Sequence, residues 1–150
     1  METKKIVQIS FLILLIVTIL ELIIGIVVTF MPELLISRSF PLYTDKPWND
    51  FLTGNPMTGS YILIKERMIG VQVLAACMCG LFVILNAFRK VEKWVWYCLL
   101  VFTVIGWGSM LIEGITFNNS PVIIVSVVGL LLVTTGLIIS AKTFLTDKKE

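Results

Sequence analysis

The sequence predicts an all-α integral membrane protein, a four-helix bundle that crosses the bilayer four times. Of its 150 residues, 57% are hydrophobic and only 15% are charged. Soluble domains are usually about 45–50% apolar and about 25% charged, so this chain has too little charge to cover a soluble surface. Its apolar residues fall into four runs, each long enough for a helix of about 20 residues to cross the hydrocarbon core. The length fits one domain, residues 1–150.

Four spans are predicted from these runs, at residues 6–31, 66–88, 94–117 and 122–144. The first follows Lys4 and Lys5, as the apolar part of a signal peptide would. It is too long for a signal segment, contains Glu21 and lacks small residues for cleavage at its end. We therefore interpret it as a retained membrane anchor.

The segment between the first two spans, residues 32–65, is predicted to be a long extracytoplasmic loop. Prolines interrupt any long helix there, and aromatic residues alternate with polar ones. Amphipathic aromatic side chains favour the headgroup layer, so we expect this loop to fold back over the mouth of the bundle. The prolines are Pro32, Pro41, Pro47 and Pro56.

The distribution of lysine and arginine predicts the orientation. Eight bases fall on three short segments on one side of the predicted membrane, and four bases are spread over the long loop on the other side. Short cytoplasmic segments carry the excess of positive charge. We therefore expect a multi-pass protein of the cell membrane with both the N-terminus and the C-terminus in the cytoplasm. The eight bases are Lys4, Lys5, Arg89, Lys90, Lys93, Lys142, Lys148 and Lys149.

Small and polar residues recur on one face of each span, and these faces are predicted to point into the bundle. The first span has Thr18, Glu21, Gly25, Thr29 and Pro32. The third has Thr103, Gly106, Ser109 and Glu113, and the fourth has Ser126, Gly129, Val133, Gly136 and Ser140. The second span has a broader face with Gln72, Ala76, Cys79, Gly80 and Asn86.

Composition removes several kinds of chemistry. The chain contains no histidine, which excludes histidine-bound haem, copper or iron and a Ser-His-Asp triad. Cys77 and Cys79 point about 200° apart on a helix, so they do not form a redox pair. The net charge of +2 gives no footprint for nucleic acid. We expect no metal or cofactor, and we lean towards a protein that is not an enzyme.

Two carboxylates within the spans indicate a polar site. A charge near the centre of a bilayer costs about 2.5–3.5 kcal/mol on insertion scales, so such residues are candidates for function. We predict a ligand-binding pocket in the outer half of the bundle that contains Glu21, Gln72 and Glu113, with Arg67 near its entrance. The alternative is structural: Glu113 pairs with Arg67, and protonated Glu21 bonds a neighbouring helix.

The layout of the spans resembles that of small four-helix membrane proteins of the DoxX-like group. The residues that carry the resemblance are Pro32-Glu33-Leu34-Leu35 after the first helix, Arg67-Met68-Ile69-Gly70 in the second, and Gly106 and Glu113-Gly114 in the third. The segment 37–60 is longer than that group leads us to expect. DoxX itself is associated with quinol oxidase complexes, and most of its relatives have no known activity. The resemblance therefore implies location and architecture more than mechanism.

A second resemblance is to the membrane-associated eicosanoid and glutathione enzymes. Glu66-Arg67 followed by Gln72-Val73 is similar to the start of their second helix. The asparagine and the second glutamate that should follow are absent, since Leu74 and Cys77 or Met78 stand in their places. The bases that hold the carboxylates of glutathione are missing as well.

Three functions fit the sequence. The first is a bundle without enzymatic activity that binds a lipid, a quinone or another hydrophobic ligand in the outer pocket. The second is an accessory subunit of a larger membrane complex, with other membrane proteins or further copies of itself as partners. The third is a proton-coupled transporter working through Glu21, although the sequence shows no broken helix and no clear inverted repeat.

Overall fold

The computed structural model describes residues 2–146, and this part of the chain is helical apart from short connections. The helices are α1 (Glu2–Phe30), α2 (Pro32–Thr44), α3 (Trp48–Gly54), α4 (Pro56–Asn86), α5 (Lys93–Thr116) and α6 (Ser120–Leu145), with a 3-10 turn at Phe88–Lys90. Two of the bases used to predict the orientation, Lys148 and Lys149, lie outside the described residues.

Four helices are long and apolar enough to cross a membrane, and they cover Lys4–Phe30, Pro56–Lys90, Lys93–Thr116 and Ser120–Leu145. The prediction of an all-helical chain with four apolar helices is thus confirmed. Helix α4 has 31 residues and is therefore about 46 Å long. Because the hydrocarbon core is only about 30 Å thick, α4 extends well beyond it.

The segment predicted to be a loop is largely helical. Its prolines do interrupt the chain, but Pro32 and Pro56 each occupy the first turn of a new helix, where the missing N–H costs nothing. The residues before them, Met31 and Asn55, have φ of −129° and −139°, since a following proline disfavours the helical conformation. Pro32 and Pro56 thus mark the starts of helices and Pro47 directly precedes α3, but Pro41 lies within α2. The prediction that residues 32–65 form a loop is therefore wrong.

The helices pack in the order α4, α1, α6, α5 around the bundle. Helix α1 lies along both α4 and α6, and α5 lies along α6. Helices α4 and α5 are consecutive in the chain, yet they touch each other only sparsely. The bundle is therefore closed on three sides and loosely closed on the fourth.

Aromatic rings fill one end of the bundle, which we call the terminal end. There the fully buried Phe88 lies 6.5 Å from Phe11 of α1 and 4.8 Å from Phe144 of α6, measured between ring centroids. The guanidinium of Arg89 stacks on the ring of Phe11 at 4.3 Å. The start of α1, the end of α4 and the end of α6 thus meet at this end, together with the bases near them.

Helices α2 and α3 lie at the opposite end, which we call the α2–α3 end. They form a small apolar cluster of their own, in which Phe40 lies 5.0 Å from Trp48 and 4.7 Å from Phe51. Ile62 and Leu63 of α4 pack against this cluster. The cluster fixes the two short helices to the first turns of α4.

Helix α2 also reaches the connection between α5 and α6. The ring of Tyr43, near the end of α2, lies 4.6 Å from that of Phe117. The amide of Asn119 donates a hydrogen bond of 3.4 Å to the hydroxyl of Tyr43. Since α2 begins where α1 ends, it crosses this end of the bundle from α1 to the α5–α6 connection.

Candidate functional site

Helix α1 presents Glu21 to the interior. The predicted inward face of α1 is the packed one, because Thr18 and Gly25 are buried while Glu21 and Thr29 are half-buried. The side chains of Val73 and Leu74 from α4 lie against Gly25. Glu21 is near enough to Cys77 of α4 to interact with it electrostatically. This carboxyl therefore lies inside the helical bundle, where α1 meets α4.

Trp107 of α5 approaches the same carboxyl from the other side. Its ring lies over Gly129 of α6, where no side chain stands in its way, and it is only 5% exposed. The indole N–H is directed towards Glu21. It does not complete a hydrogen bond, and this buried nitrogen has no other partner within residues 2–146. A buried N–H without a full partner is rare and costs about 1–3 kcal/mol.

A third acid, Glu66, belongs to the site and was not among the predicted residues. It is half-buried and interacts electrostatically with Glu113 of α5. A signal for it was present, since Glu66 shares one helical face with Gly70, Cys77 and Ile84, all of which are buried. The residue type gives no such signal, because Glu66 stands between two bases, Lys65 and Arg67.

Helices α4 and α5 face each other along a line of residues with a gap in its middle. A Cβ on Gly80 of α4 would come within 3.8 Å of the ring of Phe102. Further along, Glu66 of α4 interacts with Glu113 of α5. Phe102, Gly106 and Glu113 lie within about 40° of arc around α5, yet a Cβ on Gly106 would meet nothing within 4 Å. Gly106 is exposed, so the two helices leave this part of α5 uncovered between the position of Phe102 and that of Glu113.

We call this space the α4–α5 cleft. Glu66 on α4 and the exposed Gly106 and Glu113 on α5 border it, and the more buried Glu21 and Trp107 interact with each other deeper in the bundle. Phe102 and Glu113 are eleven residues apart, so the cleft is about 16 Å long. It opens sideways, between two spans, towards the space that lipid fills.

The predicted inward faces of α4 and α5 differ from the observed ones. Of the four residues predicted to face inward on α5, only Thr103 is buried, while Gly106, Ser109 and Glu113 are exposed. Trp107 packs α5 against α6. As a result, the polar face of α5 lies on the side of α4, which α5 contacts only sparsely. On α4, Gly80 is buried and Ala76 is half-buried, but Gln72, Cys79 and Asn86 are exposed, because α4 packs on α1 through Gly70 and Cys77. The face predicted for α6 is correct, since all five of its residues are buried.

The four predicted site residues fall into separate places. Glu113 borders the α4–α5 cleft, and Glu21 lies deeper in the bundle. Arg67 and Gln72 are exposed and line a shallow groove of about 390 Å³ with Ile64, Met68 and Val71 on another face of α4. Arg67 lies about 100° from Glu66 around the helix. Among the described residues it forms no ion pair with Glu113, so this half of the structural alternative is wrong. The other half, in which Glu21 bonds a neighbouring helix, stays a prediction.

The cleft offers acids and one N–H donor. Within residues 2–146, none of Glu21, Glu66 and Glu113 forms an ion pair with a lysine or arginine. In the same residues, no group of three or more histidine, cysteine, aspartate or glutamate side chains is arranged to hold a metal ion. The arrangement can accept hydrogen bonds or a positive charge, and through Trp107 it can donate one hydrogen bond.

Comparison of the chain with family models, with curated proteins and with solved structures finds no match.

Proposed function

We propose that this protein binds an amphipathic, lipid-like molecule in the α4–α5 cleft and catalyses no reaction on it. The observation that supports this most is the combination of a sideways opening with acids along its border and deeper in the bundle. An apolar chain would lie beside Gly106, in the space that no side chain occupies. The polar group of the molecule would lie near Glu66 and Glu113. A lipid, a quinone or another hydrophobic ligand with a polar head has this form.

The proposal includes an orientation in the cell membrane. The bases of the terminal end would face the cytoplasm, as the positive-inside rule requires, which leaves the α2–α3 end outside. Glu113 lies three residues before the end of α5 at Thr116 and would therefore be close to the outer headgroup layer. The cleft would then open into the outer leaflet.

Mass measurement of the intact protein, released in the gentlest detergent that dissolves it, tests the proposal. We expect a non-protein mass that stays bound at one molecule per chain. Glu21→Gln should weaken its retention, because the substitution changes the acid beneath the cleft and keeps the size of the side chain. The matched control is Glu33→Gln on α2, which removes an exposed acid outside the cleft. A bare chain, or equal retention in both variants, would contradict the proposal.

A second candidate is an accessory subunit of a membrane complex. The observation that favours it is the exposed pair Arg67 and Gln72 on α4, because polar side chains within a span usually face protein or water and not lipid. A partner helix, or a second copy of this chain, would cover that face. The same mass measurement separates the two functions, since a subunit would carry other polypeptides. The DoxX-like resemblance stays a prediction under either function.

A further inference from the structure

Helix α4 carries a row of exposed apolar residues on the side away from the α4–α5 cleft, which we call the α4 seam. Its members follow one another at alternating spacings of four and three residues, and all are exposed. They include Tyr61, Ile64, Met68, Val71, Ala75 and Met78. Met57 and Phe82 continue the same spacing at the two ends, with 87% and 69% of their surface exposed. A mean spacing of about 3.5 residues is the heptad repeat with which two helices pack along a shared seam.

Two shallow grooves follow the seam, each of about 390 Å³. One is lined by residues between Pro56 and Ile64, and the other by residues between Ile64 and Gln72. Because Ile64 belongs to both, the grooves form one track of about 24 Å along the helix. Grooves between the side chains of one helix are where the side chains of a second helix insert.

Lipid tails do not account for the whole seam. Helix α4 has 31 residues and α5 has 24, and the two meet at the turn Phe88–Lys90. Helix α4 therefore extends about 10 Å further than α5, and Met57 and Tyr61 lie in this projecting part. Leu52 of α3 packs against Gly59 on its other face, but the seam stays uncovered. Exposed apolar surface outside the hydrocarbon core is typical of a site that binds protein.

Polar residues border the seam in a pattern that complements itself. Arg67 and Gln72 lie about 70° to either side of it, and both are exposed. Within residues 2–146, neither side chain forms an ion pair or a hydrogen bond. In a parallel pair of helices, a residue on one edge of the seam meets the residue about five positions further along on the opposite edge of the partner. Gln72 has this relation to Arg67, and Lys65 has it to Ser60.

We propose that the α4 seam binds a second copy of this chain, in a parallel dimer whose two-fold axis is perpendicular to the membrane. Copies inserted with the same orientation present their α4 helices in parallel and at the same depth, so that each seam meets its equal. The guanidinium of Arg67 in one copy donates a hydrogen bond to the amide oxygen of Gln72 in the other, and symmetry repeats the bond. Met68 lies about 160° from Glu66 around α4. The dimer therefore leaves the α4–α5 cleft open and does not depend on the proposed function.

Disulfide cross-linking of the full-length protein in cell membranes tests the inference. In a background without the native cysteines, Met68→Cys and Val71→Cys are each oxidised with copper phenanthroline. Each of these residues would face its own copy across the two-fold axis, so we expect a product with twice the mass of the chain. Ile69→Cys is the matched control. It is exposed and lies beside Met68 in the sequence, but it points about 100° away around α4 and should give little product.

The polar edges supply a second test, in which dilution in lipid bilayers is followed by energy transfer between labelled copies. Gln72→Leu removes the acceptor of Arg67 in both halves of the dimer and should weaken association roughly tenfold. Gln72→Glu should strengthen association, because a carboxylate accepts a stronger hydrogen bond from the guanidinium. Gln8→Leu on α1 makes the same change at an exposed position off the seam and should leave association unchanged.

Three outcomes would overturn the inference. One is a cross-link at Ile69→Cys with none at Met68→Cys or Val71→Cys, and another is a chain that stays monomeric in every variant. The third is a cross-linked product that contains a different polypeptide, which would show that another membrane protein occupies the seam. Gly106→Phe, which fills the cleft, should keep the cross-link at Met68→Cys. Failure of the dimer and failure of the proposed ligand site are therefore measured separately.

Discussion

The indole ring of Trp107 lies so close to Gly129 that a Cβ at position 129 would overlap it. The contact sets the separation of α5 and α6 and directs the N–H of Trp107 towards Glu21. A small residue on α6 thus decides where a polar group on α5 faces. In membranes, small residues commonly let neighbouring helices approach this closely.

Gly129→Ala should therefore destabilise the protein. The added methyl forces the Trp107 ring or the whole of α6 to move, and overpacking of this kind costs about 1–3 kcal/mol. Unfolding in mixed detergent measures the loss. Gly108→Ala is the control, because a Cβ on Gly108 meets nothing within 4 Å. Equal stability of the two variants would show that Trp107 does not pack on Gly129.

Gly70→Ala tests the contact between α1 and α4 in the same way. A Cβ on Gly70 would lie 2.5 Å from the backbone nitrogen of Thr29 and equally near its hydroxyl oxygen. Backbone atoms cannot move aside as a flexible side chain can, so we expect a loss of about 1–3 kcal/mol or more. Thermal unfolding followed by circular dichroism measures it. An unchanged transition would mean that α4 does not approach α1 at this level.

Tyr43 should hold α2 across the α2–α3 end. Tyr43→Ala removes the ring contact with Phe117, which for an aromatic pair contributes about 0.5–1.5 kcal/mol, and should speed hydrogen exchange in residues 33–44. Tyr43→Phe loses only the 3.4 Å bond from Asn119, which is long for a hydrogen bond, and should change exchange little. If Tyr43→Ala exchanges as slowly as the unsubstituted protein, the contact does not hold α2.

The proposed orientation predicts which end an impermeant thiol reagent reaches from outside the cell. In a background with Ala in place of Cys77, Cys79 and Cys98, Asn49→Cys on α3 should be labelled in intact cells. Lys90→Cys, in the turn between α4 and α5, should be labelled only after the membrane is opened. Both positions are exposed in the fold, so a difference in labelling between them reports the side of the membrane on which each lies. The reverse labelling pattern would contradict the proposed orientation and would place the cleft in the cytoplasmic leaflet.

Helix number and the buried faces of α1 and α6 could be predicted from the sequence, because each is a local pattern. Ser126 and Gly136 repeat at helical spacing along α6, and both are buried. The face of α5 could not be predicted in this way. Its small and polar residues form a regular stripe, but the large Trp107 turns the helix, since α6 offers it the space above Gly129. That fit depends on residues of two helices, so the sequence of neither helix alone predicts it.

The composition of the site was predictable only in part for the same reason. Glu21 and Glu113 are acids within apolar runs, which is unusual, so both could be predicted as site residues from the sequence. Glu66 stands beside two bases in the sequence, where an acid looks ordinary. Its place in the cleft follows from the packing of α4 on α1. The spacing of Gly70 and Cys77 indicates this packing, but the polar face of α4 gives a competing prediction.

The central claim is that the ligand lies in the α4–α5 cleft, and Gly106→Phe tests it most directly. A Cβ on Gly106 or on Gly108 would meet nothing within 4 Å, so both positions admit a side chain, but the two point about 200° apart around α5. Only the ring at position 106 fills the cleft. We predict that intact-mass measurement finds the 1:1 non-protein mass in the unsubstituted protein and in Gly108→Phe, and finds it lost in Gly106→Phe. Retention of the mass by Gly106→Phe, in a protein that still folds, would contradict the account.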